Sequence, residues 1–229
     1  MPTERPGVPA LIIFDFDGVV ADSEAIAAQG GAEFLTSIGH PTSVEDAMRM
    51  FLGRNHVDTV AAMEQYIGRK LPASYETTHR AQIRAKMRTE VGPIPGVAAF
   101  LDAHAPIPKC VASSSGVAWL DHCTDKFGFR HHFGPNLFSA TLVAKGKPAP
   151  DIYLHAASAM GAAPSRCLVI EDSPTGVKSG VAAGMYVIGF LGGSHVRAGH
   201  ADKLRAAGAA TTARTYDEVA AHIKNAALR

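Results

Sequence analysis

Residues 11–18 read LIIFDFDG: four apolar residues, then Asp15, Phe16, Asp17 and Gly18. The apolar run does not alternate with polar residues, which marks a strand covered on both faces, as in the middle of a parallel sheet. Two carboxylates one residue apart then stand where that strand leaves the core. In an open parallel sheet, ligands bind beyond the carboxyl ends of the strands. Asp15 and Asp17 are therefore placed for chemistry rather than packing.

Working outward from this strand, short apolar runs of the same kind recur at Ala10–Asp15, Lys109–Ser113, Leu137–Ala140, Cys167–Glu171 and Met185–Phe190. Helical patterns lie between them. Pro150 opens a helix through DIYLHAASAM that Gly161 ends, and Ser173-Pro174 reads as an N-cap with proline in the first turn. Gly116 to Phe127, closed by Gly128, is another. Strands alternating with helices predict an α/β fold, a Rossmann-like doubly wound parallel sheet.

One stretch breaks the alternation. Residues 23–91 hold only helical segments, among them SEAIAAQGGAEFLTSIG, NHVDTVAAMEQYIG and ASYETTHRAQIRAKMRTE, with Ser43 and Asp46 as an N-cap pattern. The expectation is an inserted α-helical cap domain at 23–91 within an α/β core made of 1–22 and 92–229. The exit Gly92-Pro93-Ile94-Pro95-Gly96 reads as a hinge.

Composition excludes several classes. The chain has 229 residues, 47% hydrophobic and 19% charged, with a formal net charge of +1 and a sequence pI near 7.8. No basic field speaks for nucleic acid or an anionic membrane. The N-terminus lacks a signal-peptide pattern, and no apolar run approaches the ~20 residues that span a bilayer. Cys110, Cys123 and Cys167, an odd number without CxxC spacing, read as reduced core thiols. A cytoplasmic monomer is expected. Among the eleven histidines, the pair His131-His132 has no carboxylate or cysteine at metal-site spacing and reads as a polar loop.

Beside Asp15 and Asp17, strand ends and the following loops deliver Ser113 in VASSSG, Lys147 in GKPAPD and Glu171-Asp172 in VIEDSP. Carboxylates packed together resist ionising unless a cation sits among them. Hard oxygen ligands suit Mg²⁺, which takes one or two carboxylates plus a phosphate. Lys147 and Ser113 can hold the remaining phosphate oxygens. One carboxylate can attack phosphorus while its neighbour moves the proton. That inventory is the one phosphoryl transfer needs.

DFDGVVADSE, VASSS, GKPAPD and VIEDSPTG, in this order, resemble the four motifs of the haloacid dehalogenase superfamily, in the phosphatase and β-phosphoglucomutase-like branch with a helical cap. The resemblance spans roughly residues 8–226. It implies that Asp15 is the nucleophile forming an aspartyl-phosphate. Asp17 is the general acid/base and gives its backbone carbonyl to Mg²⁺, Ser113 binds the phosphoryl group, and Lys147 neutralises nucleophile and phosphate. Asp172 is implied as a metal ligand, with Glu171 in the first or second shell and Ser114 beside the substrate.

Asp17 separates this chain from the dehalogenases of the superfamily, which lack the second aspartate. The position twelve residues past Asp15, where the mutases carry a histidine, is Ala27. The expected activity is hydrolysis of a small phosphorylated metabolite, a sugar, sugar-acid or polyol phosphate. The alternatives are a phosphosugar mutase and a non-catalytic relative that binds phosphometabolites. FLGRNH (51–56) resembles a substrate-contacting cap loop, so Gly53 and Arg54 are substrate-binding candidates. Arg80, Arg84 and Lys86 are further ones.

Overall fold

The computed structural model describes residues 7–51 and 56–227. Its first strand is β1 (Leu11–Phe14). Helices α1 (Glu24–Ser37), α2 (Val44–Phe51), α3 (His56–Ile67) and α4 (Arg80–Glu90) follow, with a π-helical turn at Tyr75–His79 leading into α4. The chain continues as α5 (Val97–Ala103), β2 (Lys109–Ser113), α6 (Val117–Lys126), α7 (Arg130–Phe133) and β3 (Leu137–Ser139). Then come α8 (Asp151–Ala159), β4 (Cys167–Glu171), α9 (Pro174–Ala182), β5 (Tyr186–Phe190), α10 (His200–Ala206), β6 (Thr211–Ala213) and α11 (Tyr216–Ala227).

The six strands form one sheet in the order β3-β2-β1-β4-β5-β6, every pairing parallel. This is the doubly wound α/β fold expected. The chain builds outward from β1 through β2 to β3, then crosses to β4 and builds the other way. β1 thus stands at the point where the winding reverses, and its carboxyl end opens on the crevice that such a reversal creates.

Burial follows from the composition of the strands. All residues of β1, β2, β4 and β5 are buried. Ile13 pairs with Cys110 on one side and Val169 on the other, and all three lie in one apolar core with Ile152 and Tyr153 of α8. Phe14 meets Phe100 and Phe133 edge-on at 6.0 and 5.7 Å between ring centres, the arrangement the ring quadrupoles favour. The three cysteines are buried, and none is in a disulfide. Burial pushes the Cys167 thiol up to about 11, so it is unreactive at neutral pH.

The chain divides into two compact units, residues 1–22 with 93–229, and residues 23–92. The second unit has its own core of Ala32, Phe34, Leu35, Ala47, Met63 and Tyr75, among others. The start of α2 follows its sequence signal: the Ser43 hydroxyl accepts the Asp46 N–H at 3.0 Å, capping the helix. Among the described residues, no helix is long and apolar enough to cross a membrane.

Candidate active site

Asp15 follows β1 directly, and its N–H donates to the Ile170 carbonyl of β4 at 3.0 Å. That bond carries the ladder one residue past the strand and fixes the aspartate between two strand ends. The chain then turns within six residues: the Val19, Val20 and Ala21 N–H groups all reach the Phe16 carbonyl, and the Gly18 N–H donates to Ala21 at 2.7 Å. Gly18 has φ +82°, and a Cβ there would lie 2.0 Å from Asp172 Oδ2. Only glycine satisfies both the turn and the approach of that carboxylate.

Lys147 arrives from the loop before α8. Its Nζ donates to Asp15 Oδ1 at 2.7 Å and to Glu171 Oε1 at 2.8 Å, and its side chain is 5% exposed. Burial works against the ammonium, but Asp15 and Glu171 outweigh it and hold its pKa well above the ordinary lysine value.

Glu171 is fully buried. Besides Lys147, its Oε1 accepts the Tyr153 hydroxyl at 3.1 Å, and its Oε2 accepts the Ser173 N–H at 2.7 Å and hydroxyl at 3.0 Å. Ser173 in turn caps α9, accepting the Gly176 N–H at 3.0 Å. Both Glu171 oxygens are thus engaged within the protein.

Asp15, Glu171 and Asp172 present carboxylate oxygens within 4.8 Å of one another. Burial pushes the Asp15 carboxyl well above the usual range, with Glu171 and Asp172 adding to the rise and Lys147 opposing it. Burial does the same to Asp172, with Glu171 adding to it. Three buried carboxylates against one ammonium leave two negative charges, so a hard divalent cation fits this donor set.

Asp17 is half-buried, two residues beyond Asp15. Its Oδ2 accepts the Ser115 hydroxyl and its Oδ1 accepts the Trp119 indole N–H at 2.9 Å. Ser113 is buried at the end of β2, its hydroxyl accepting the Ser115 N–H at 3.1 Å. Ser114 is exposed. Asp15, Asp17, Ser113, Lys147, Glu171 and Asp172 therefore gather at the carboxyl ends of β1, β2 and β4.

A model of haloacid dehalogenase-like hydrolases matches residues 9–184, and a second model, of HAD-hydrolase-like sequences, matches 144–225. The chain belongs to the haloacid dehalogenase-like hydrolase family. Within it the chain is a phosphoric monoester hydrolase, as the named phosphatases among its relatives bear out. It is similar to 6-phosphogluconate phosphatase of Escherichia coli K12, 29% identical over 80% of this chain and 83% of that protein. Hexitol phosphatase A of the same organism is 29% identical over 77% of this chain and 80% of its own.

Two solved structures share the fold and more. A haloacid dehalogenase-like protein of unknown function from Agrobacterium tumefaciens is 38% identical, with TM-score 0.86 over 94% of this chain and 98% of its own. A HAD family hydrolase from Deinococcus radiodurans, solved with phosphate and sodium, is 31% identical, with TM-score 0.82 over 98% of each chain.

The cap candidates of this hydrolase fare unequally. Gly53 and Arg54 lie outside the described residues. Arg80 pairs with Glu76 at 2.8 Å and Lys86 with Glu33 at 3.2 Å. Arg84 lines a cavity of 270 Å³ within residues 23–92, together with Glu24, Ala27, His56, Tyr75 and Arg80.

Several site neighbours are not legible in the sequence. Trp119 and Tyr153 read as apolar positions of helices, yet each aims a polar atom at a site carboxylate. His195, buried, lies 3.0 Å from Asp172 Oδ2, and His200 Nε2 lies 2.6 Å from the Asp172 carbonyl. Nothing in the residues around either histidine marks it. Elsewhere the fold supplies a carboxylate that spacing did not reveal: Asp102 lies 3.1 Å from His132 Nε2 and forms a surface cluster with His131 and His132.

Proposed function

We propose that this hydrolase is a Mg²⁺-dependent phosphatase that cleaves a small phosphorylated metabolite through an aspartyl-phosphate on Asp15. The observation that carries the reading is the buried Lys147 ammonium bridging Asp15 and Glu171. A buried cation against one oxygen of a carboxylate aligns its second oxygen and screens the approach of a dianionic phosphate.

Mg²⁺, held by the Asp15 and Asp172 carboxylates and the Asp17 carbonyl, would neutralise charge on the transferred phosphoryl group. Glu171, its oxygens taken, serves by holding Lys147. In the first half-reaction an Asp15 oxygen bonds to phosphorus and the bond to the leaving oxygen breaks. That oxygen keeps the electron pair and takes the proton from Asp17. In the second, Asp17 takes a proton from water as the water oxygen bonds to phosphorus. The bond to Asp15 then breaks, returning its carboxylate and releasing phosphate. Ser113, buried at the end of β2, holds a phosphoryl oxygen.

Residues 23–91 act as a cap that sets the substrate. Sugar, sugar-acid and polyol phosphates are the substrate class, supported by the 6-phosphogluconate and hexitol phosphatases this chain resembles. Ala27 in place of the mutase histidine favours water over a sugar hydroxyl as acceptor.

The test is turnover of a panel of such esters with Mg²⁺ and with EDTA, alongside acid-quench trapping of labelled phosphoprotein. Wild type should trap label and need the metal. Asp15→Asn should lose both label and turnover, by about 10⁴-fold or more, since a covalent nucleophile is removed. Near-wild-type turnover in Asp15→Asn, or full activity in chelator, would refute the mechanism.

A further inference from the structure

We propose that Trp119, together with Ser115, is a positioning residue that fixes the orientation of the Asp17 carboxyl and so decides which of its oxygens carries the proton. The inference rests on the phosphatase reading, in which Asp17 is the general acid and base.

The two oxygens of Asp17 face chemically different donors. Oδ1 accepts the Trp119 indole N–H at 2.9 Å, and Oδ2 accepts the Ser115 hydroxyl. An indole N–H donates only, whereas a hydroxyl can donate or accept. The oxygen facing Trp119 must therefore remain an acceptor in both protonation states. A carboxylic acid accepts best through its carbonyl oxygen, so Oδ1 takes that role and the proton belongs to Oδ2. Ser115 adapts, donating to the carboxylate and turning when Oδ2 carries a proton.

Both donors are themselves held. The Ser115 N–H donates to Ser113 Oγ at 3.1 Å, and its carbonyl accepts the Ser139 hydroxyl at 2.7 Å. Trp119 lies in the first turn of α6, its N–H bonded to the Gly116 carbonyl at 2.9 Å. The Asp17 backbone is fixed by the turn around Gly18. With backbone and both oxygens anchored, the carboxyl has no free rotation about its side-chain bonds. The proton passed to the leaving oxygen, and later taken from water, moves at one defined atom. Such preorganisation matters when the leaving group is a poor one that needs its proton in the transition state.

Leaving groups separate this role from a structural one. An alkyl alkoxide needs the proton, while p-nitrophenolate departs without it. Trp119→Phe keeps the ring and deletes the donor. Its kcat/KM, which reports the steps up to departure of the leaving group and not the hydrolysis of the aspartyl-phosphate that all substrates share, should fall roughly 10- to 100-fold on the best alkyl phosphate of the panel. Its kcat/KM on p-nitrophenyl phosphate should stay within about threefold of wild type. Ser115→Ala should show the same split, and it serves should Trp119→Phe not fold. Equal losses of kcat/KM on both substrates, in whichever variant folds, would overturn the proposal.

A second readout needs no turnover. Trp119 is the one tryptophan in the chain, so its emission reports directly on Asp17. Asp17→Ala should shift the emission maximum and alter quenching by acrylamide. An unchanged spectrum would show that the contact is not made. If the wild type turns over neither substrate, the phosphatase reading fails and the positioning role fails with it. That outcome is distinct from an active wild type whose Trp119→Phe variant treats both substrates alike.

Discussion

Lys147 is the residue whose surroundings constrain it most, an ammonium with two carboxylates within 2.8 Å and almost no access to water. Removing it leaves Asp15 and Glu171 facing one another without compensation. Lys147→Met should therefore cost about 3–5 kcal/mol of stability at pH 7, besides abolishing turnover, because a buried partner charge is stranded. The pH dependence follows from the direction of the carboxyl shift. Burial already raises Asp15 above its ordinary value, and without Lys147 it rises further. A carboxyl whose folded-state pKa lies above its unfolded one destabilises the fold as pH rises and ceases to do so below about pH 4. Urea denaturation in EDTA should thus find the deficit of Lys147→Met large at pH 7 and shrinking towards pH 4. A deficit independent of pH would mean that the ion pairs contribute nothing. The carboxylates of this cluster are legible in the sequence because each ends a strand or follows directly on one, and Lys147 because it stands in GKPAPD just ahead of α8. Trp119 is not: it lies 102 residues from Asp17, inside a helix, where an indole reads as packing. The direction in which a helical side chain points depends on tertiary placement that periodicity does not encode.

At the scale of elements, long apolar strands and capped helices are legible, and short or half-exposed pieces are not. β6 is only Thr211–Ala213, its two threonines half-buried, so it offers neither an apolar run nor alternation and goes unread in the sequence. The segment ASYETTHRAQIRAKMRTE reads as one helix, yet it starts with the π-helical turn Tyr75–His79. There Tyr75 and His79 both lie against the Phe34 ring, at 4.8 and 4.7 Å between centres, a packing demand that local propensity does not express. Gly30 tells the same story from inside α1. A glycine in mid-helix costs about 1 kcal/mol relative to alanine, but a Cβ there would lie 2.7 Å from Ile83 Cγ1 of α4. Ile83 is branched at that point and has little rotamer freedom. Gly30→Ala should accordingly destabilise the protein by about 1 kcal/mol net, overpacking outweighing propensity. In the Ile83→Ala background the same change should be stabilising. Chemical denaturation of the four members of this cycle checks it, and additive effects would mean that α1 and α4 do not meet at Gly30.

The whole molecule is nearly neutral, with a formal net charge of +1, yet it concentrates Asp15, Glu171 and Asp172 at one point. The groups proposed to hold Mg²⁺, on Asp15, Asp17 and Asp172, are brought together only by folding, so the cation binds the native state and not the unfolded chain. Mg²⁺ at one hundred times its dissociation constant should then add about 2.7 kcal/mol, which for a chain of this size raises Tm by roughly 5–10 °C. Asp172 makes the test sharper because its two effects have opposite signs. Without metal its carboxylate is buried, repelled by Glu171 and pushed well above the ordinary range; in the proposed mechanism it is a ligand once the metal binds. Asp172→Asn removes the charge and keeps the shape. The amide can still present its oxygen to His195, which lies 3.0 Å from Asp172 Oδ2. In EDTA the variant should melt higher than wild type, and in saturating Mg²⁺ lower, so the two curves of Tm against Mg²⁺ must cross. Thermal melts across a Mg²⁺ titration decide the matter. Parallel curves would mean that Asp172 neither repels its neighbours nor holds the cation.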